Sequence, residues 1–234
     1  LQSEELLNLG GQEIEVTTLF SDIRGFTSMS ERMQAIDVVN TLNEYFDIMI
    51  DVVFKYNGTL DKIIGDALMV IYGAPIAAPD DTERAVRTAI EMQQKLSQLN
   101  QVRHSRGQEP LEIGIGINTG RVIAGNIGSK EQMNYTVIGD AVNLSSRLCS
   151  YAHPGQIVVS QSIRSQLAAS PQFAFKELDP ISVKGKSGLI AVHEVKYFKN
   201  NLQTSLEEKY FLIEAFLKKN LPAHLVYHNI DHIQ

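Results

Sequence analysis

The chain has 234 residues, of which 44% are apolar and 21% are charged, a balance typical of a globular protein that buries a sizeable core. Its 21 lysines and arginines stand against 27 aspartates and glutamates, so the formal net charge is −6, which disfavours a nucleic-acid backbone as the main partner. No apolar run approaches the roughly 20 residues that cross a bilayer. We therefore expect a folded chain that makes no membrane contact and binds no nucleic acid.

The single cysteine and the two ends of the chain suggest the setting in which the protein works. Cys149 cannot form an internal disulfide, and its neighbours offer no metal-ligand spacing, so we expect a buried, unreactive thiol in a reducing compartment. The sequence begins at Leu1 and stops at Gln234 in the middle of a pattern. This predicts a cytoplasmic fragment of a longer protein, whose other parts could include sensor or regulatory domains and a membrane anchor.

The first half of the chain predicts a strand, a long helix and a hairpin. Residues 14–20, rich in β-branched and aromatic side chains, predict a buried strand that ends at Ser21 and Asp22. Apolar side chains three and four residues apart predict a helix over residues 37–56, ended by Gly58. Its expected buried stripe consists of Val39, Leu42, Phe46, Met49, Ile50 and Val53. Two short apolar runs, 59–64 and 67–72, predict a β-hairpin that turns at Gly65 and Asp66.

The second half predicts three further helices and several strands. One helix is expected to begin at Asp80 and Asp81, because acidic residues favour the positive end of a helix dipole. The later elements are strands at 111–118 and 121–124, paired around Thr119 and Gly120, a strand at 135–138, helices at 140–151 and 160–168, and strands at 156–159, 173–178 and 189–197. Since hairpins exclude a purely parallel sheet, the predicted fold class is α/β with a mixed, mostly antiparallel sheet flanked by helices.

Two common nucleotide-binding motifs are absent from the sequence. No glycine-rich loop ends in Gly-Lys-Ser or Gly-Lys-Thr, as a P-loop requires. Gly114 and Gly116 lie inside a predicted strand, and Thr119 occupies the position where the dinucleotide fingerprint needs its third glycine. The sequence therefore excludes both of these nucleotide-binding folds.

Two carboxylates follow predicted strands and could meet at one edge of the sheet. Asp22 comes directly after an apolar strand, and Asp66 lies on the hairpin turn. Alone, Asp22 is equally well explained as a helix or turn cap, and Asp66 is better explained as a simple turn residue. Together they form an oxygen pair of the kind that Mg²⁺ prefers, with room for water and phosphate. The loop at residues 23–27 adds a flexible glycine and backbone N–H groups that could cradle a phosphate.

Five motifs, in order, resemble the catalytic domain of class III nucleotidyl cyclases. They are FSDIRGFT at residues 20–27, KIIGD at 62–66, NTGRV at 118–122, YTVIGDAVNLSSR at 135–147 and VKGK at 183–186. Within that family the sequence is most similar to bacterial, cyanobacterial-type adenylate cyclases, which are similar to the mammalian soluble enzyme. The resemblance covers about residues 10–197 and implies a ferredoxin-like, palm-type arrangement of the sheet.

The resemblance implies a reaction and a pair of cations. ATP would be cyclised to 3′,5′-cyclic AMP and pyrophosphate, by attack of the ribose 3′ oxygen on the α-phosphorus. Asp22, Asp66 and the carbonyl of Ile23 would hold two divalent cations, Mg²⁺ or Mn²⁺, which clamp the attacking and leaving oxygens. The triphosphate would lie against the loop residues Gly25, Phe26 and Thr27.

Four further residues match the family's positions for the sugar and the phosphates. Arg147 would stabilise charge on the α-phosphate in the transition state, and Asn143 would orient the ribose. Arg121 and Lys184 would meet the β- and γ-phosphates. Without the other motifs, each of these side chains would be interpreted as an ordinary surface residue.

Lys62 and Thr136 occupy the family's two base-selecting positions. Adenine offers an acceptor at N1 and a donor at its exocyclic amine, so a lysine donor and a hydroxyl that can accept are matching partners. Guanine presents a donor at N1, against which Lys62 would be mismatched. The resemblance therefore implies ATP as the substrate.

In this family each active site combines residues of two chains. The metal side would be formed by Asp22, Asp66 and Arg121, and it would face Lys62, Thr136, Asn143, Arg147 and Lys184 of the partner. Because one chain carries both sets, the resemblance implies a head-to-tail homodimer with two equivalent sites.

The predicted domain organisation has three parts. Residues 1–10 are a lead-in from an upstream segment, residues 11–198 are the catalytic domain, and residues 199–234 are a helical linker. The tail sequence at Tyr227, His228, Asn229 and His232 resembles the opening of metal-dependent HD-type phosphohydrolase domains. A truncated second domain is therefore the alternative interpretation of the tail.

Three other functions remain open on the sequence. A guanylate cyclase differs only in base selection. A catalytically silent nucleotide-binding module would be expected to lack one of the carboxylates or Arg147. A palm-type polymerase or diguanylate cyclase shares the two-metal plan, but the Gly-Gly-Asp/Glu-Glu-Phe sequence of the latter is absent.

Overall fold

One sheet organises the part of the chain that the computed structural model describes, which is residues 11–129, 133–170, 172–183 and 188–196. Within these ranges eight strands alternate with five helices. The strands are β1 (Gly11–Ile23), β2 (Thr59–Ile64), β3 (Ala67–Tyr72), β4 (Ile113–Gly128), β5 (Met133–Ile138), β6 (Ile157–Ser160), β7 (Ala174–Ser182) and β8 (Leu189–Lys196). The helices are α1 (Phe26–Ser30), α2 (Ala35–Lys55), α3 (Asp81–Ser105), α4 (Asp140–Tyr151) and α5 (Gln161–Gln166).

The strands follow the order β2-β3-β1-β4-β6-β8-β7, and β5 pairs with the far end of β4. β1 lies antiparallel to β4 over its whole length, from Gly11 opposite Gly125 to Ile23 opposite Ile113. Among the described strands, only β4 and β6 pair in parallel. The predicted mixed, mostly antiparallel sheet flanked by helices is therefore confirmed.

The segment around Thr119 and Gly120 does not turn, so the prediction of two paired strands at 111–118 and 121–124 is wrong. β4 runs straight through it as one strand of 16 residues. The ladder with β1 continues across this point, with Thr17 opposite Thr119 and Val16 opposite Gly120. Because β1 satisfies the backbone hydrogen bonds there, a continuous strand is favoured over a turn.

Helix α2 forms where predicted, and most of its predicted stripe faces the core. Met49 and Val53 are buried as expected, and Leu42, Phe46 and Ile50 pack partly buried against the main core. Only Val39 departs from the expected stripe, at 50% exposed. The buried side also includes Tyr45, whose hydroxyl lies 2.9 Å from the Ser21 hydroxyl of β1.

The two faces of the sheet carry different helices. On one face, Leu19 of β1 and Ile115 of β4 pack into the main core with residues of α2 and α3. On the other face, Val16 and Phe20 of β1 pack with Cys149 of α4 in a second core. Successive strand residues alternate between these two cores, as the pleat requires.

Helix α4 lies close to β4 because β4 presents glycines to it. Gly114, Gly116 and Gly120 all point to the α4 face, and a Cβ built on Gly116 would lie 2.0 Å from the Cys149 nitrogen. The Asn118 amide of β4 donates to the Ala141 carbonyl at 2.9 Å, and on the neighbouring β1 the Thr18 hydroxyl lies 2.5 Å from the Ser145 hydroxyl of α4. The predicted burial of the Cys149 thiol is confirmed, and burial raises its pKa to about 11.

Gly116→Ala is expected to destabilise the fold by about 1–3 kcal/mol, because the new methyl group collides with the α4 backbone and overpacks this contact. Gly120→Ala is the graded comparison: its Cβ would lie 2.9 Å from the Ala141 Cβ, a milder collision that involves no α4 backbone, so a smaller loss is expected. Urea denaturation measures both variants. Equal losses in the two variants would contradict a specific requirement at Gly116.

No helix among the described residues has the length and apolar content needed to span a membrane. The predicted tail elements at 199–234, including the HD-like histidines, lie outside the described residues, as does the lead-in at 1–10.

Candidate active site

Asp22 and Asp66 come together at one edge of the sheet. Asp22 is the penultimate residue of β1, and Asp66 lies on the turn between β2 and β3. The antiparallel register between β1 and β3, with Ser21 opposite Leu68, brings this turn beside Asp22. The two carboxylates are close enough to repel each other. The sequence-based expectation that these side chains share an edge therefore agrees with their positions.

The charged form of the Asp22 carboxylate is disfavoured in the folded chain, even though a cation lies beside it. Burial raises its pKa, and the neighbouring Asp66 carboxylate raises it further. Arg24, which donates to Asp22 Oδ2 at 2.6 Å, acts in the opposite direction without cancelling the rise. Two crowded hard oxygen donors suit a divalent cation, which would relieve the repulsion.

The donor set fits a cation that keeps open positions. Within the described ranges, no group of three or more His, Cys, Asp or Glu side chains could enclose a metal. Asp22, Asp66 and the Ile23 carbonyl would thus supply only part of a coordination shell. This is the pattern of Mg²⁺ sites that are completed by water and substrate phosphates.

Asp22→Asn is expected to raise the melting temperature of the metal-free protein at pH 7. Because the pKa of Asp22 is raised in the folded chain, the unfolded chain loses this proton first as the pH increases. The carboxyl's stabilising contribution is complete below its ordinary pKa and is lost as pH rises through the folded value. Melting curves from pH 3 to 8 test this, with the gain at pH 7 vanishing at the acid end.

The exposed aspartate of α2, Asp47, provides the control, since Asp47→Asn alters no carboxylate pair. A lower melting temperature of Asp22→Asn at pH 7 would mean that the ion pair with Arg24 outweighs burial and repulsion.

The loop after Asp22 forms the short helix α1. Gly25 precedes it with a φ of 70°, a left-handed conformation that favours glycine. Phe26 is buried in the main core, so only its backbone could meet a ligand, whereas Thr27 is exposed. The first N–H groups of a helix have no partner inside it, as the phosphate-cradle prediction requires.

Lys62 and Thr136 meet, although they lie on strands at separate places in the sheet. The Lys62 ammonium donates to the Thr136 hydroxyl at 3.3 Å, and Thr136 is buried. A register shift in β2 between Leu60 and Lys62 marks a β-bulge, a device that re-aims a side chain. The Asp61 carboxylate, 1% exposed, lies 3.0 Å from the Lys62 ammonium. The sequence predicted this pairing of Lys62 and Thr136 only through the family resemblance.

Asn143 and Arg147 lie four residues apart on α4 and therefore share one face of the helix. Asn143 is exposed and Arg147 is partly exposed, while Leu144 and Leu148 of the same helix are buried. In the described part of the chain, neither side chain has a recorded hydrogen bond or ion pair. Both groups are thus free to meet a ligand.

Arg121, a predicted phosphate-binding residue, does not lie at this edge within its own chain. Arg121 is separated from Gly114, the partner of Asp22, by roughly 20 Å along β4, at about 3.3 Å per residue. Its side chain is 76% exposed and lies 3.9 Å from Glu13. Lys184 falls outside the described residues. Neither prediction gains support from the structure.

Arg24 is the residue of this edge that sequence reasoning missed. It lies inside the FSDIRGFT motif, but its partners are the Asp22 carboxylate and backbone carbonyls of α4, more than 120 residues away in sequence. The signal that could have found it is a charged side chain between the apolar Ile23 and the buried Phe26.

The arrangement has the parts needed for phosphate chemistry on a nucleotide. It offers two carboxylates for cations, a lysine and a hydroxyl suited to a base, and an exposed arginine and asparagine on a neighbouring helix.

Solved structures share this fold. The adenylyl cyclase CyaB from P. aeruginosa is 38% identical, with a TM-score of 0.78 over 83% of this chain and 100% of that one. The guanylyl cyclase Cya2 is 39% identical, with a TM-score of 0.77 over 85% of this chain and 100% of that one. One of these proteins is an adenylyl cyclase and the other a guanylyl cyclase, and both are almost equally similar to this chain. Structural similarity therefore does not distinguish between adenine and guanine nucleotides as the substrate.

Curated relatives include two bacterial adenylate cyclases. Adenylate cyclase of Anabaena cylindrica is 36% identical over 188 residues, which cover 77% of this chain and 36% of the relative. Adenylate cyclase 1 of Rhizobium meliloti is 32% identical over 183 residues, which cover 77% of this chain and 27% of the relative. The chain thus spans about a third of the length of these relatives.

Residues 11–201 match the family model described as the adenylate and guanylate cyclase catalytic domain. This match extends over most of the chain and includes every described element of the sheet. The chain therefore belongs to the adenylate and guanylate cyclase catalytic domain family, as the motifs predicted.

Proposed function

We propose that this domain is an adenylate cyclase that converts ATP to 3′,5′-cyclic AMP and pyrophosphate in intracellular signal transduction. The observation that carries the choice of base is the contact between Lys62 and Thr136, 3.3 Å apart. Adenine N1 accepts from the lysine ammonium, and the exocyclic amine donates to the threonine hydroxyl. The bacterial relatives named as adenylate cyclases support the same choice.

Asp22, Asp66 and the carbonyl of Ile23 would hold two Mg²⁺ or Mn²⁺ ions. When bound, these ions lower the pKa of the ribose 3′-hydroxyl and neutralise the triphosphate. The protein's own contribution is to keep both carboxylates at one edge of the sheet. The N–H groups at the start of α1, after Gly25, orient the phosphates.

Arg147 and Asn143 act on the sugar and the α-phosphate. The Arg147 guanidinium stabilises the charge that develops on the α-phosphate, and Asn143 hydrogen-bonds the ribose so that its 3′ oxygen is aligned for attack. Lys184 meets the outer phosphates in the same proposal. Arg121 keeps the same role in this proposal.

The proposed assembly is a head-to-tail homodimer, in which the carboxylates of one chain face α4 and Lys62 of its partner. Exposed apolar side chains support a partner surface here, since monomeric proteins rarely leave such groups in clusters. Ile63 and Ile64 are 46% and 50% exposed on the hairpin, and Ile123 and Ile138 lie opposite each other on β4 and β5 at 45% and 55%.

The proposed setting is a cytoplasmic catalytic domain at residues 11–198, with upstream sensor or regulatory segments in the parent protein. Residues 199–234 are proposed as a linker toward a further domain, of which the HD-like histidines would be the start.

The function is tested by incubating the purified domain with ATP or GTP, with Mg²⁺ or Mn²⁺, and measuring cyclic product. We expect cyclic AMP as the main product. Formation of cyclic GMP from GTP as efficiently as cyclic AMP from ATP would favour a guanylate cyclase. The similarity to the guanylyl cyclase Cya2 is the reason to test this alternative. Absence of turnover with both nucleotides would favour a silent nucleotide-binding module.

Lys62→Glu is expected to lower kcat/KM for ATP by about 10–100-fold and to raise the ratio of GTP to ATP turnover, because the acid opposes adenine N1 but accepts from guanine N1. Lys95→Glu, at an exposed position on α3, makes the same charge change away from the site. An unchanged nucleotide preference in Lys62→Glu would exclude Lys62 from base selection.

A further inference from the structure

Arg24 connects the predicted metal edge to the end of helix α4. Its Nη1 donates to Asp22 Oδ2 at 2.6 Å, and its Nε donates to the Ala152 carbonyl at 3.0 Å. Its Nη2 donates to the Cys149 carbonyl. One guanidinium thus makes three hydrogen bonds, to one carboxylate and to two backbone carbonyls of a different element.

The fold reserves space for this guanidinium. A Cβ built on Gly114 of β4 would lie 1.9 Å from Arg24 Nη2 and 2.5 Å from Arg24 Nε. Any other residue at this position would therefore displace the arginine side chain. The Arg24 side chain is only 18% exposed, so it lies between the sheet and α4 rather than in solvent.

The acceptors on α4 suit a cation. Cys149 and Ala152 lie in the last turn and at the C-terminal cap of the helix. The Cys149 carbonyl accepts one hydrogen bond from the Ala152 N–H at 3.1 Å, and Arg24 is its second donor. The helix dipole favours positive charge at this end. A planar guanidinium has donors on three nitrogens, so it can hydrogen-bond a carboxylate and two carbonyls at once. A lysine ammonium carries all its donors on one nitrogen and cannot reach three acceptors placed around a guanidinium plane.

We propose that Arg24 is a positioning residue that fixes the Asp22 carboxylate to the C-terminal end of α4, so that the metal ligand and the helix carrying Asn143 and Arg147 adopt one relative position. This inference rests on the proposed function. In a head-to-tail dimer, Asp22 and α4 of one chain serve different active sites. Arg24 therefore also links the two sites of the dimer.

The first test measures Mn²⁺ binding to the nucleotide-free protein by electron paramagnetic resonance, so that activity is not the readout. Arg24→Met is expected to weaken Mn²⁺ binding about tenfold, as loss of a group that orients a metal ligand does. Arg32→Met is the matched control, because Arg32 forms an exposed ion pair with Glu109 outside the site. Unchanged or tighter Mn²⁺ binding in Arg24→Met would overturn the proposal. That result is expected if Arg24 only competes with the metal ion for the Asp22 carboxylate.

Arg24→Lys separates bridging from charge and is the milder change if Arg24→Met folds poorly. The lysine retains a positive charge beside Asp22 but cannot span all three acceptors. We expect Mn²⁺ binding to remain weakened in Arg24→Lys. Wild-type binding by this variant would show that charge alone suffices and would overturn the bridging role.

The link to α4 is tested in mixed dimers that contain a single working site. One chain carries Arg147→Ala and supplies the carboxylates; the other carries Asp66→Ala and supplies Arg147. Arg24→Met is then added to either chain. Placed with Asp66→Ala, it leaves every residue of the working site intact, and we expect kcat to fall about tenfold with KM for ATP little changed.

A loss of kcat only when Arg24→Met accompanies the working carboxylates would overturn the link through α4. If the unmodified mixture regains no activity, the proposed dimer is wrong, and the Mn²⁺ measurement still tests Arg24 by itself. The two failures are therefore distinguishable.

Discussion

Arg147→Ala is expected to lower kcat for cyclic AMP formation by about 10²–10³-fold while changing KM for ATP little. The guanidinium would act on charge that develops at the α-phosphate, so its stabilisation is larger in the transition state than in the bound substrate. Steady-state kinetics over a range of ATP concentrations separate kcat from KM. A rise in KM with kcat unchanged would mean that Arg147 contributes to substrate binding alone.

The structure makes Arg147→Ala a clean variant. Arg147 is partly exposed on α4, and no ion pair of its side chain is recorded among the described residues, so thermal stability should be unchanged. Arg164→Ala, at an exposed arginine of α5, removes the same charge far from the carboxylates. Wild-type kinetics in Arg164→Ala would assign the effect at Arg147 to the site rather than to net charge.

Mixing an inactive Asp22→Ala chain with an inactive Arg147→Ala chain is expected to restore about one quarter of wild-type activity. Random pairing makes about half of the dimers mixed, and each mixed dimer has one intact site of two. In that site the Arg147→Ala chain supplies Asp22 and the other chain supplies Arg147. Cyclic AMP formation by the mixture, compared with each parent alone, is the measurement.

The complementation experiment depends on exchange of subunits, so the two chains are also co-expressed with different tags and the mixed dimer is purified by both. The purified mixed dimer has one intact site of two, so about half of wild-type activity is expected from it. A chain with both Asp22→Ala and Arg147→Ala, paired with wild type, is a further control: each shared site then carries one defect, so this dimer should be inactive, whereas sites contained within single chains would leave half of the activity. Mixed Asp22→Ala and Arg147→Ala dimers that are as inactive as their parents would disprove a site shared between chains.

The local elements could be predicted because each depends on nearby residues. The apolar spacing of α2 and the turn residues Gly65 and Asp66 determine a helix and a hairpin before any tertiary contact forms. The hairpin and the strand ending at Asp22 also sufficed to predict that the Asp22 and Asp66 carboxylates would share an edge of the sheet. In the structure, the pairing of β1 with β3 places the turn that carries Asp66 beside Asp22.

Errors arose where a partner strand or helix decides the outcome. Thr119 and Gly120 have the composition of a turn, yet pairing with β1 keeps β4 extended through them. Val39 continues the apolar spacing of α2, yet it is 50% exposed, while Tyr45, outside that spacing, is buried with its hydroxyl 2.9 Å from the Ser21 hydroxyl. Local patterns do not contain these partners.

The sequence by itself determined the family, most of the elements in their order and the candidate residues for the site. Only the tertiary structure decided which of those residues meet: Lys62 reaches Thr136, Arg24 joins Asp22 to α4, and Arg121 lies far along β4 from the carboxylates. The physical reason is that residue spacing fixes the face of an element, whereas strand register and helix approach fix contacts between residues distant in the chain. Glycines at 114 and 116 set that approach, because only they let α4 and the Arg24 side chain lie against the sheet.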